Sequence, residues 1–195
     1  MESVNQIRAL IQDSLDVKSL LLERPELIQN IASSSQAFVD CLKEDGKILF
    51  CGNGGSAADA QHIAAELSGR FYHDRDPLFA EALHVNTSYL TAVANDYSYD
   101  EVYSRLVKAK GRKGDVLVGI STSGNSGNIV RAFETAKSQG MITIGMTGES
   151  GGKMKELSDL LLNVPSSDTP RIQECHILIG HIICQQCEEL LFDLG

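Results

Sequence analysis

His62 and Glu66 stand one helical turn apart in "SAADAQHIAAELSGR", so on a helix they share a face, where they either form a weak surface pair or bind one metal ion together. For an arbitrary His/Glu pair the surface reading prevails. The alanines around this pair, however, make an unusually thin helix that lets another element pack close. Asp59, one turn before His62, is placed to orient the imidazole, although an acid near a helix N-terminus is equally favoured by the dipole. Further polar candidates lie in the apolar run "RIQECHILIGHIIC": Gln173, His176 and His181. A histidine there is more often a core residue than a ligand. Gln173 and His181 are about 12 Å apart along a straight helix, so they reach one ion only if stretched toward each other or if they come from different subunits.

A second kind of chemistry is written into two short loops. "STSGNS" places Ser121, Thr122, Ser123 and Ser126 directly after an apolar run, and hydroxyls with backbone N–H groups at a helix start make an anion site. No Gly-Lys-Ser/Thr follows, so no lysine reaches a triphosphate. "CGNGGS" runs Asn53, Gly54 and Gly55 straight into a helix, letting the backbone approach a ligand closely while Ser56 is expected to cap the helix. Glycines alone would equally suit a structural turn; the hydroxyls of the other loop exceed what a turn requires. Together the loops favour a phosphate ester with hydroxylated carbons. Asn95 and Asp96 form a turn-type pair after "YLTAVA", and their expected place near the same rim makes them candidates for sugar hydroxyls.

The elements that must position these residues follow from the pattern of apolar runs. Two helices are expected first, over residues 3–23 and 25–44, as an antiparallel pair, with Pro25 in a first turn and Gly46 after a helix end. From Lys47 onward the runs "KILFC", "EALHV", "DVLVGI", "MITIGMT" and "LLLNV" alternate with helical stretches, and a last helix covers about residues 171–192. Continuous apolar strands, each followed by a helix, predict an α/β fold: a doubly wound five-stranded parallel sheet covered on both faces. In such sheets ligands sit beyond the carboxyl ends of the strands. That rule brings "CGNGGS" and "STSGNS" to one crevice.

Composition narrows the partners. With 195 residues and 43% hydrophobic content, the chain fits a single domain with an appended element. A net charge of −9 without a basic stripe argues against nucleic acid. No stretch suits a signal peptide or a membrane span, so a cytoplasmic protein is expected. Five cysteines in such a chain read as reduced thiols, and Cys184 and Cys187, a lone C-x-x-C pair, as small residues of a packed helix.

The four blocks "CGNGGSAADAQHIAAELSGRF", "TAVANDYSYDEVYSRLV", "GDVLVGISTSGNSGNIVRAF" and "VPSSDTPRIQECHILIGHIIC" together strongly resemble the phosphoheptose (sedoheptulose 7-phosphate) isomerase family of the sugar isomerase, or SIS, domain superfamily. "STSGNS" alone marks only the superfamily. The resemblance implies a flavodoxin-like SIS domain over residues 1–195, with residues 1–45 a helical extension used in oligomerisation. It implies a homotetramer with active sites at subunit interfaces, and conversion of sedoheptulose 7-phosphate to D-glycero-D-manno-heptose 7-phosphate for lipopolysaccharide or related glycans. One Zn2+ per subunit is implied, with His62, Glu66, Gln173 and His181 as ligands. Substrate-binding positions are Asn53, Gly54, Gly55, Ser56, Glu66, Asn95, Asp96, Ser121, Thr122, Ser123, Ser126 and Gln173. Some family members carry an aspartate before Arg-Ile-Gln; Thr169 and Pro170 stand there in this chain, and no acid is carried over.

Moving a carbonyl from C2 to C1 needs a base, an acid and a stabiliser of the enediolate, roles that fall to Glu66 as base, His181 as acid and zinc as Lewis acid. Two alternatives stay open. SIS domains also serve as binding proteins, associating with the replication initiator or sensing sugar phosphates, and an isomerase of a shorter sugar phosphate would use the same loops.

Overall fold

A computed structural model describes residues 2–192. Five parallel strands form one sheet in the order β2-β1-β3-β4-β5: β1 (Ile48–Gly52), β2 (Ala80–Ala82), β3 (Val116–Ser121), β4 (Ile142–Thr147) and β5 (Leu160–Asn163). Around it lie α1 (Glu2–Leu22), α2 (Pro25–Lys43), α3 (Gly55–Ser68), α4 (Thr87–Asp96), α5 (Val102–Lys110), α6 (Gly127–Ser138) and α7 (Thr169–Phe192). Short 3-10 turns at Tyr99–Glu101 and Gly152–Leu157 complete the chain. The expected doubly wound architecture is therefore the one observed.

Strand alternation divides the core in two. Ile48, Phe50, Val116, Val118 and Ile120 face Phe38, Ile63 and Cys184 from α2, α3 and α7. Leu49, Cys51 and Leu117 face Val93, Tyr103 and Phe133 from α4, α5 and α6. All residues of β1 and β3 are buried, so these runs carry no polar face for water. Each such side chain contributes roughly 1.5–3 kcal/mol by leaving water.

Two expectations need correction. The second strand is shorter and earlier than "EALHV": it pairs only with β1, from Ile48↔Ala80 to Phe50↔Ala82, and the chain then turns away, leaving Val85 exposed. Asn95 and Asp96 do not form a turn; they close α4, whose N-cap is Asn86, its side chain accepting from the Tyr89 N–H. The leading pair of helices forms as expected, α1 ending at Leu22 and α2 starting at Pro25. Only the end of α1 joins the core, through Leu21 and partly Val17. Its middle is tied to α7, where Ser14 donates to Glu174 at 2.5 Å and Arg171 donates to the Leu10 carbonyl at 3.0 Å. Val4, Ile7, Leu10, Ile11 and Leu15 stay 52–59% exposed.

α7 carries a fully buried histidine. His176 Nε2 donates to the Thr147 carbonyl at 3.1 Å, while Nδ1 has no partner among the described residues. Burial lowers its pKa to about 4, only partly offset by that hydrogen bond. A histidine depressed in the folded state binds its proton first when unfolded, so stability is full above about pH 6.5 and falls toward pH 4. The full shift corresponds to about 3 kcal/mol. Urea unfolding of a His176→Gln variant should therefore lose less stability than wild type between pH 6.5 and 4; parallel losses would exclude His176 as the cause.

Candidate active site

In the strand order β2-β1-β3-β4-β5 the direction of winding switches between β1 and β3, and ligands bind at such a switch point. β1 ends at Gly52, paired with Ile120 of β3, so the loops that follow are neighbours. The two loops share the carboxyl rim of the sheet, bridged by the side chains of Asn53 and Asn128.

The β3 loop is bonded to itself and to its neighbour. Ser121 Oγ lies 3.0 Å from Ser126 Oγ, and Ser123 Oγ accepts from the Asn125 N–H at 3.1 Å. Ser126 is the N-cap of α6 but makes no side-chain cap, so first-turn N–H groups are left for an anion. Gly124 has φ 64°, and a Cβ there would lie 2.1 Å from the Gly151 carbonyl oxygen. The loop therefore rests backbone to backbone on the 148–154 turn, where Thr122 O accepts from Gly148 N at 2.9 Å and Gly124 O accepts from Met154 N at 3.0 Å.

In the β1 loop, Gly54 and not Ser56 is the N-cap of α3. Gly54 takes φ 58°, which swings the chain into the helix early and leaves Ser56 buried within the first turn. Asn53 is held by two residues that no local motif singles out, Tyr99 and Asn128. Asn128 was legible as part of "STSGNSGN", but its partner lies 75 residues away. Tyr103 reinforces the loop by donating to the Gly52 carbonyl at 2.5 Å. Asn95 and Asp96 are exposed and bond to each other at 2.9 Å.

α3 and α7 run side by side from this rim. Gln173 sits against Gly55, where a Cβ would lie 2.6 Å from its Nε2, and Gly180 sits against Ile63, where a Cβ would lie 2.4 Å from Cδ1. The close approach at Gly180 brings the next residue, His181, to the helix face that carries His62 and Glu66. His181 Nε2 lies 3.0 Å from His62 Nε2, which lies 3.0 Å from Glu66 Oε1. Gln173 is left at the other end of the seam, about 12 Å along α7. Asp59 makes no hydrogen bond to His62; one carboxylate oxygen is buried without a partner, and burial pushes its pKa up against the opposing field of His62.

One donor atom from each of His62, Glu66 and His181 lies within 4.8 Å of the others. Two imidazoles and a carboxylate are a donor set that catalytic zinc centres use. Tetrahedral ligands about 2 Å from zinc stand roughly 3.3 Å apart, so the cluster needs little rearrangement to hold the ion.

The far end of this cluster is clamped by a buried ion pair. Arg75 Nε donates to Glu188 at 2.9 Å, and its other nitrogens donate to the carbonyls of Glu66, Leu67 and Gly69, capping α3 just beyond Glu66. Burial alone would raise the Glu188 carboxyl, but the N–H groups of His73, Tyr72 and Phe71 and the Arg75 guanidinium hold it below the usual carboxylate range. The segment they order places Phe71 against the His181 ring, with centroids 5.6 Å apart.

A doubly wound domain with glycine- and hydroxyl-rich loops at its switch point is the architecture of an SIS domain, and the SIS domain family model matches residues 16–148. Among relatives, the chain is 52% identical to phosphoheptose isomerase 2 of Campylobacter jejuni, covering 100% of this chain and 98% of that one. It is 50% identical to the phosphoheptose isomerase of Aneurinibacillus thermoaerophilus, covering 95% and 94%. The solved phosphoheptose isomerase of Neisseria gonorrhoeae superposes with a TM-score of 0.89 at 45% identity, over 95% of this chain and 98% of that chain. That of Francisella tularensis gives 0.92 at 37%, over 97% and 100%. The chain belongs to the phosphoheptose isomerase family.

The backbone contact at Gly124 has a measurable cost. Gly124→Ala should lower stability by roughly 1–3 kcal/mol from the left-handed conformation alone, before the clash with Gly151 is added. Chemical denaturation checks this, and an unchanged midpoint would show that the loop relaxes freely.

Proposed function

We propose that this protein is an aldose-ketose isomerase that converts sedoheptulose 7-phosphate to D-glycero-D-manno-heptose 7-phosphate for heptose biosynthesis. The observation that carries the reading is the meeting of His62, Glu66 and His181 beside the α3–α7 seam, in a chain about half identical to named phosphoheptose isomerases over nearly its whole length. The phosphate would lie on the loops at Asn53–Ser56 and Ser121–Ser126, with Asn95 and Asp96 toward the sugar hydroxyls.

Glu66 takes a proton from C1 of the ketose while His181 protonates O2, giving an enediol. Glu66 then returns a proton to C2 as His181 accepts the O1 proton, and the carbonyl has moved to C1. A residue bound to a metal is a poorer proton carrier, so Glu66 uses its second carboxylate oxygen and His181 shares its proton transfers with water. His62, Glu66 and His181 would hold one Zn2+ per subunit, which when bound supplies Lewis-acid polarisation of the sugar oxygens.

Gln173, the fourth ligand that the family resemblance implies, lies at the rim end of the seam, a separation that supports sites completed by a second subunit. The exposed apolar stripe of α1 supports the same reading, because a row of five such residues is unfavourable in water. We assign residues 1–45 to the contacts of a homotetramer and place the enzyme in the cytoplasm, making precursor for lipopolysaccharide or a related surface glycan. No described helix is long and apolar enough to cross a membrane.

Proton and phosphorus NMR of sedoheptulose 7-phosphate with zinc-loaded protein should show the aldose accumulating. Glu66→Gln should slow this by roughly 100-fold or more, with zinc content measured alongside. Folded, metal-loaded protein that binds the ketose without converting it would overturn the isomerase reading in favour of a sugar-phosphate-binding module.

A further inference from the structure

Asn53 is the pivot of the β1 loop, and its amide is not free to choose how it meets a ligand. Its Nδ2 donates to Asn128 Oδ1 at 2.9 Å, and its Oδ1 accepts from Asn128 Nδ2 at 2.8 Å, so the two amides form a closed reciprocal pair. Tyr99 Oη donates to the same Asn53 Oδ1 at 3.2 Å. A carbonyl oxygen has two lone pairs, and both are now engaged. What remains to Asn53 is one N–H.

Asn128 is suited to impose this. It is 2% exposed in the first turn of α6, directly after the hydroxyl loop, and a buried amide keeps its partners because leaving them unmade is costly. Turning the Asn53 amide alone would set N–H against N–H and C=O against C=O. The pair also joins the β1 loop to the helix that follows the β3 loop, so one part-buried contact sets both the orientation of a ligand group and the spacing of the two loops. Tyr99 is half exposed on the 3-10 turn after α4 and closes the outer side.

We propose that Asn128, assisted by Tyr99, is a positioning residue that makes Asn53 a pure hydrogen-bond donor toward the sugar phosphate. The proposal rests on the ligand class read above but not on turnover. An anion-facing asparagine must present N–H, since its carbonyl oxygen would repel phosphate. Asn128 touches no ligand itself; it acts through Asn53.

The test is a double-mutant cycle on binding of sedoheptulose 7-phosphate, measured by titration calorimetry with zinc-loaded protein. Asn128→Ala should weaken binding about tenfold in the wild-type background and less than about twofold once Asn53→Ala is present, because its partner is then gone. Asn128→Asp, which keeps the shape and an acceptor but loses the donor to Asn53, should not restore affinity. Tyr99→Phe should give a smaller loss that likewise vanishes with Asn53→Ala. Thermal unfolding runs in parallel, so that a collapsed fold is recognised, and Tyr99→Phe carries the cycle if Asn128→Ala does not fold. Equal losses from these variants in both Asn53 backgrounds, or full affinity in Asn128→Asp, would overturn the proposal. Wild-type binding without turnover would overturn the isomerase reading while leaving the cycle readable; absence of wild-type binding would overturn both.

Discussion

The contact on which the site depends is the close approach of α3 and α7 at Ile63 and Gly180. A side chain at Gly180 would drive a methyl into Ile63, so glycine there sets the distance between the helices. His181 follows immediately on α7, and His62 immediately precedes Ile63 on α3. Two residues 119 positions apart in sequence thereby become hydrogen-bonding neighbours. The alanines of α3 belong to the same arrangement: Ala60 and Ala64 are buried in the core that α7 also enters, and bulkier residues would push the helices apart.

The same seam gives the site its polarity. At its rim end Gln173 meets the start of α3 beside the switch point, where backbone N–H groups and hydroxyls suit a phosphate. At its far end the imidazoles and Glu66 suit a metal, and Arg75 with Glu188 caps the helix that carries them. The Arg75–Glu188 pair is buried yet fully bonded, so its desolvation is offset by four donors to the carboxylate and three carbonyls around the guanidinium closest to α3. One end offers N–H groups and hydroxyls of the kind an anion takes; the other gathers two imidazoles and a carboxylate.

Much of this was legible in the sequence because it is periodic or local. Apolar runs of strand length alternating with helical patterns led to the parallel sheet, and the rule for strand ends brought the two loops to one rim. His62 and Glu66 were found as a one-turn pair, and His181 as a polar interruption of an apolar helix. What escaped is long-range or depends on backbone detail. The Asn53–Asn128 amide pair and the clamp between Arg75 and Glu188, 113 residues apart, have no periodic signature. The cap of α3 fell on Gly54 because a positive φ turns the chain sooner than a serine cap would. The two leading helices have matching apolar stripes, and a pattern of this kind says that a face must be buried without saying against what; the stripe of α1 lies open while its middle is pinned to α7 through Glu174 and Arg171.

If these residues move a proton between carbon atoms, solvent isotope uptake reveals it. When sedoheptulose 7-phosphate is turned over in D2O by the zinc-loaded protein, the aldose should carry deuterium at C2, because a proton held by the proposed base Glu66 would exchange with solvent before reprotonation. An aldose that retains protium at C2 through many turnovers, the mark of a direct hydride shift, would contradict the enediol route, and no aldose at all would contradict the isomerase itself.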